Sequence, residues 1–121
     1  MDHGYEVFHP HPSTVADFYV NVLGFTAGEE DNSTDYITVH RDDLSVGCSQ
    51  DPDAPLAPRK PPAGSEIVLR VDDVYAEHDR VKTTGWDIED PLQKRPWGLI
   101  DFRVFDPTGQ YIRITDAEPR D

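Results

Sequence analysis

Gly24-Phe25 and Gly85-Trp86 each close a helical stretch and open an extended one, and they lie 85 − 24 = 61 residues apart in a chain of 121. An offset of half the chain points to one structural unit used twice, which restricts the fold more than composition does. The pattern around each glycine agrees. In the first half, Tyr5 to Phe8 reads as a strand that Pro10 and Pro12 stop, with Ser13 or Thr14 placed to cap a helix. Val15, Phe18, Tyr19, Val22 and Leu23 then recur at three- and four-residue spacing as one apolar stripe. Phe25 to Glu30, Tyr36 to His40 and Leu44 to Gln50 read as strands separated by polar clusters. In the second half, Glu66 to Val71 is a strand, Asp73 to Thr84 a helix, and Ile88 to Leu92, Ile100 to Phe105 and Tyr111 to Thr115 are strands. Both halves therefore run β-α-β-β-β.

Between them, Pro52, Pro55, Pro58, Pro61 and Pro62 fall in a stretch with neither strand nor helix periodicity, which reads as a stiff extended linker. We expect a single domain over 1–121, with a first module at 1–50, a Pro-rich linker at 51–64 and a second module at 65–121. The length is too short for two ordinary independent cores. Apolar residues make up 36% of the chain, a modest supply that favours some stabilisation by subunit contacts.

Charge and cysteine content exclude whole classes of function. With 24 acidic against 11 basic residues, the net charge is −13, so a nucleic-acid backbone or an anionic membrane is repelled over most of the surface. The single cysteine, Cys48, allows neither an intrachain disulfide nor a thiolate zinc cluster, and it reads as a buried inert thiol. No signal-like or membrane-length apolar run is visible, so a cytoplasmic protein is expected. Asn32-Ser33-Thr34 matches the glycosylation pattern, but without a secretory signal it reads as a polar turn.

Three short segments carry a resemblance. They are Asp17-Phe18-Tyr19 leading to Leu23-Gly24-Phe25, Val71-Asp72-Asp73-Val74 leading to Gly85, and Phe105-Asp106-Pro107-Thr108-Gly109-Gln110. In this order and at these separations the chain resembles the glyoxalase, bleomycin-resistance and dioxygenase proteins of the vicinal oxygen chelate superfamily over nearly its whole length. The resemblance implies an α+β fold of two βαβββ modules, with curled mixed sheets around a cleft, and a domain-swapped dimer. It also implies that the arm Phe8-His9-Pro10 belongs to the dimer interface. His9 and His11 form a His-x-His pair, but no third metal ligand follows nearby.

Metal-dependent members hold a divalent ion with His, Gln or Glu side chains from several strands. Counting from the glycine anchors, those places here fall on Gly4, Gly47, Glu66 and Arg113. One carboxylate remains, and a guanidinium opposes a cation, so neither a metal nor any other cofactor is expected. Arg95-Pro96-Trp97-Gly98, running through Asp101-Phe102, resembles instead the stretch that places a ligand-stacking Trp in the drug-binding branch. Asp35-Tyr36 with His40-Arg41-Asp42-Asp43 resembles the strand that brings an aromatic to the opposite wall. Trp97 and Tyr36 are thus candidates to sandwich a planar ligand, or else to fill the core.

Strand alternation puts Tyr36, Thr38 and His40 on one face and Gly47 and Ser49 on one face of the next strand, either as cleft lining or as ordinary sheet positions. Glu66, Arg70 and Arg113 sit on strands expected to be central, where charge is costly unless it is paired or faces a wet pocket. Phe102 completes the expected ligand-binding set, and no residue is expected to be catalytic. Glu77-His78-Asp79 reads as a solvated helix face. The expected function is capture of a bleomycin-, mitomycin- or enediyne-like aromatic natural product by a homodimer, giving self-resistance. The alternative is a metal-independent isomerase, cyclase or lyase using Glu66 or His40 as acid or base.

Overall fold

A computed structural model describes residues 1–28 and 35–118 of the chain. The turn Asn32-Ser33-Thr34 and the end of the expected second strand at Glu30 lie outside the described residues. The fold is α+β and consists of two βαβββ modules. Contacts divide the chain into two compact units, Met1–Ala57 and Pro58–Asp121.

The first unit comprises β1 (His3–His9), α1 (Pro12–Asn21), β2 (Thr26–Ala27), β3 (Tyr36–Arg41) and β4 (Leu44–Gln50). Its sheet has the order β1-β4-β3-β2, with β1 parallel to β4 and the other pairs antiparallel. Helix α1 covers one face. Val15, Phe18 and Tyr19 on the helix and Val7, Val39, Val46 and Cys48 on the strands are all buried there, with Tyr19 edge-on to Phe25 at 5.2 Å. The helix starts earlier than its Ser13 and Thr14 suggest. Pro12, with φ preset for a first helical turn, occupies the start, and the preceding His11 is extended and makes no side-chain cap. The Nδ1 of His9 takes the His11 N–H at 2.8 Å in its place. At the other end Gly24 is left-handed (φ 74°), which lets the Phe25 N–H return to the Tyr19 carbonyl at 2.9 Å.

The second unit comprises β5 (Ile67–Val71), α2 (Val74–Thr84), β6 (Asp90–Lys94), β7 (Ile100–Phe105) and β8 (Tyr111–Asp116), with sheet order β5-β8-β7-β6 and β5 parallel to β8. Asp73 caps α2 by accepting the Ala76 N–H, and Gly85 closes it at φ 81°. Strand β6 begins two residues later than its apolar pattern indicates and carries a register irregularity between Asp90 and Gln93. Pro91 lies inside that irregularity, where its missing N–H costs no ladder bond. The Asp106–Gln110 segment is a turn built around one carboxylate. Asp106 Oδ1 accepts from the Thr108 N–H (2.8 Å), the Thr108 hydroxyl (2.6 Å) and the Gln110 N–H (3.0 Å).

The helix segment expected to be solvated is largely not. Glu77 is buried and paired to Arg80 at 2.8 Å, and His78 packs edge-on against Phe102 at 5.1 Å. Only Asp79 of the three faces water. The Pro-rich stretch is pinned to the units it joins. The Asp51 N–H bonds the His9 carbonyl, and Arg59 bonds the carbonyls of Gly109 and Thr108 through its N–H and its guanidinium.

Candidate functional site

Each sheet has one face under its helix and one face away from it, and the chemistry-bearing side chains collect on the latter. In the first unit the pairing of β1, β4 and β3 lays out three rows across that face: Gly4, Ser45 and His40, then Glu6, Gly47 and Thr38, then Phe8, Ser49 and Tyr36. Tyr36, Thr38, His40, Gly47 and Ser49 therefore share a face, as alternation indicates. Tyr36 is 38% exposed, and its hydroxyl donates to Glu6 Oε2 at 3.0 Å. The Ser49 hydroxyl donates to Glu6 Oε1 at 3.4 Å. Burial, and then the bond to Glu6, push the Tyr36 phenol above its ordinary pKa. Glu6 was not among the expected site residues, although it lies two positions beyond Gly4 on the same strand and so on the same face.

Gly47 is central to this arrangement. It is not among the glycines with positive φ, and a Cβ built on it would land on Glu6 Oε2 and the Tyr36 hydroxyl. What the glycine supplies is therefore clearance for those two side chains. In the arm, Phe8 is 51% exposed on the face away from α1, His9 is turned under the helix and Pro10 is half-buried.

In the second unit, the face away from α2 is crossed by ion pairs. Arg113 Nε stands 2.7 Å from Glu66 Oε1, a short ion contact that lacks hydrogen-bond geometry. Asp101, with no exposed surface, accepts from Arg95 Nε at 2.8 Å and from Arg103 at 3.2 Å, and Arg95 reaches Asp90 as well. Burial by itself lowers the Arg103 pKa, but the bond and charge of Asp101, with Tyr111, together hold the guanidinium above its ordinary value. Next to it, burial and a 2.8 Å bond to Glu89 push the Tyr111 phenol up to about 12. Lys60, at 2.8 Å, holds the Glu89 carboxyl below its ordinary value despite partial burial. Arg70 is exposed on β5 in the row of Thr115 and Asp101 and makes no ion pair among the described residues.

Trp97 is not a core residue. It sits at the tip of the β6–β7 hairpin, 53% exposed, in a turn closed by the Arg95 N–H to the Leu99 carbonyl (2.8 Å) and the Gly98 N–H to the Arg95 carbonyl (2.9 Å). Phe102 must be removed from the expected site. Asp101 and Phe102 are neighbours on one strand and point to opposite faces, and Phe102 is fully buried against α2.

The places at which related proteins hold a metal do not fit one here. Gly4 and Gly47 offer no donor, and the carboxylate of Glu66 is in contact with the guanidinium of Arg113. Among the described residues, no three His, Cys, Asp or Glu side chains form a metal-holding group.

The sequence profile described as Glyoxalase/Bleomycin resistance protein/Dioxygenase superfamily matches residues 3–114. The chain belongs to that superfamily. Among solved structures of the superfamily's fold, TioX from Micromonospora sp. ML1 is similar, with a TM-score of 0.79, 22% identity and coverage of 98% of this chain and 99% of that one. The bleomycin-binding protein from bleomycin-producing Streptomyces verticillus, complexed with copper(II)-bleomycin, gives 0.69, 19% identity and coverage of 98% and 97%. Lactoylglutathione lyase from Agrobacterium tumefaciens gives 0.72, 13% identity and coverage of 97% and 93%. Comparison with curated protein sequences finds no match. The fold is thus common to proteins named for binding and for catalysis, and the side chains must decide between them.

Proposed function

We propose that this chain binds an aromatic natural product and releases it unchanged, as a homodimer in the cytoplasm, and that sequestration of the compound protects the cell holding it. The observation that carries this reading is the pair of exposed aromatics in fixed settings: Trp97 on a hydrogen-bonded hairpin tip, and Tyr36 tied by its hydroxyl to Glu6. A ring tied at its hydroxyl, or carried on a hydrogen-bonded turn, loses less conformational freedom when a planar ligand stacks on it. Thr38, His40 and Ser49 offer polar contacts on the first sheet, and Arg70, Glu66 and Arg113 offer them on the second. An exposed Phe8 in an N-terminal arm supports a subunit contact through Phe8, His9 and Pro10. The enzymatic alternative through Glu66 is weaker, because Arg113 already stands against the carboxylate that would have to take a proton.

The test is to titrate the purified protein with a panel of aromatic natural products, bleomycin included, and to recover each compound after long incubation. Saturable binding with unchanged compound is expected. Turnover of any compound would overturn the reading in favour of an enzyme.

A further inference from the structure

The carboxylates on the sheet faces are of two kinds. In the second unit, Glu66 stands against Arg113, Asp101 against Arg95 and Arg103, and Glu89 against Lys60. Each of these charges is balanced by a cation of the same chain. Glu6 on β1 differs. It is exposed, its two bonds come from the neutral hydroxyls of Tyr36 and Ser49, and among the described residues it forms no ion pair.

Neutral donors hold a carboxylate in place without cancelling its charge. Each carboxylate oxygen accepts about two hydrogen bonds, so both oxygens of Glu6 keep accepting capacity toward the open side of the sheet. The backbone beneath is adapted to this position. Glycine in a strand interior weakens the strand, and Gly47 does not adopt a conformation that requires glycine, yet any side chain there would displace the Glu6 carboxylate and the Tyr36 hydroxyl together. Tyr36 adds a ring whose hydroxyl end is fixed at Glu6, so a group stacked on that ring has the carboxylate at its edge. A cation over an aromatic face and beside a carboxylate gains from both.

We propose that Glu6, positioned by Tyr36 and Ser49 above Gly47, recognises a cationic nitrogen on the ligand, so that the preferred ligands are planar aromatic compounds bearing a protonated amine. This rests on the proposal that the protein binds aromatic ligands, and it specifies their charge.

The test uses two probes of matched shape, 1-naphthylmethylamine, protonated at pH 7, and the neutral 1-naphthalenemethanol, with dissociation constants measured by NMR titration of the full chain. The amine should bind at least tenfold more tightly than the alcohol. Glu6→Gln should remove that preference and leave alcohol binding within about twofold of the parent. Gly47→Ala should remove it as well, because the added methyl moves the same two side-chain ends. The backbone there is ordinary strand, so this variant should keep its melting temperature and report the displacement, not unfolding. Asp87→Asn, on an exposed residue outside the site, removes one charge elsewhere, and it should leave the preference intact.

Equal affinity for both probes, or an amine preference that survives Glu6→Gln, overturns the proposal while leaving aromatic binding standing. A preference lost equally in Asp87→Asn overturns it too, by assigning the effect to the overall negative field. Failure of both probes to bind at millimolar concentration overturns the aromatic-binding reading and this proposal together.

Discussion

Replacing Trp97 with alanine separates a ligand-stacking residue from a structural one. A tryptophan buries up to about 250 Å², and 53% of Trp97 remains exposed, so about 130 Å² is left for a ligand to cover. At ~25 cal/mol per Å² this is worth about 3 kcal/mol, or a dissociation constant roughly 150-fold weaker in Trp97→Ala. The covered half contributes no more than about 3 kcal/mol to the fold, and collapse of the hairpin tip after truncation reduces that further. Trp97→Ala should therefore remain folded, with a modest drop in melting temperature, and should bind the first ligand from the panel far more weakly. Calorimetric titration beside a thermal melt of variant and parent reads both quantities. Tyr36→Phe is the companion variant, and it should lose much less because it keeps the ring. A folded Trp97→Ala protein with unchanged affinity would refute the stacking role.

Asp101→Asn leaves Arg95 and Arg103 crowded around a neutral amide, so unfolding in urea should show a loss of about 3 to 5 kcal/mol. Asp106→Ala strands three donors in a buried turn and should cost at least about 2 kcal/mol, measured in the same way. Tyr111 titrates near 12 in the folded chain against about 10 unfolded, so its contribution is fully present below pH 10 and is lost as pH rises toward 12. A melting series from pH 9 to 12 should show that loss, at most about 2 to 3 kcal/mol, and Tyr111→Phe should reduce the dependence to the part carried by the raised Tyr36 and Lys60. Light scattering at micromolar concentration should give twice the 13.7 kDa chain mass if Phe8 and the arm join two subunits.

The repeated βαβββ order was legible because it rests on local signals: apolar periodicity, helix-closing glycines and polar or Pro-rich breaks between strands. Element edges were harder. Pro12 overrode Ser13 and Thr14 at the start of α1, and Pro91 shifted β6 toward a bulge. Period-two alternation grouped Tyr36 with Thr38 and His40, and Gly47 with Ser49, and the pairing of β3 with β4 puts both groups on one face. The same rule, had it been applied to Asp101-Phe102, would have separated them, since neighbours on a strand cannot share a face. Counting onward from Gly4 would likewise have reached Glu6. Period two puts Arg103 on the same face as Asp101, but no local rule yields Arg95 as its second partner or the meeting of Glu66 with Arg113. Their sequence separations carry no periodic signal.

The Pro-rich stretch has a consequence for how such a chain can be divided and rebuilt. Its early residues are anchored to β1 through Asp51, and its later ones to the Asp106–Gln110 turn and to Glu89 through Arg59 and Lys60. A gene cut between codons 57 and 58 would therefore give two half-length products, each with its own sheet, helix and anchored tail. Co-expression of such halves would show whether two separate chains can each keep their sheet and helix without the covalent link between them.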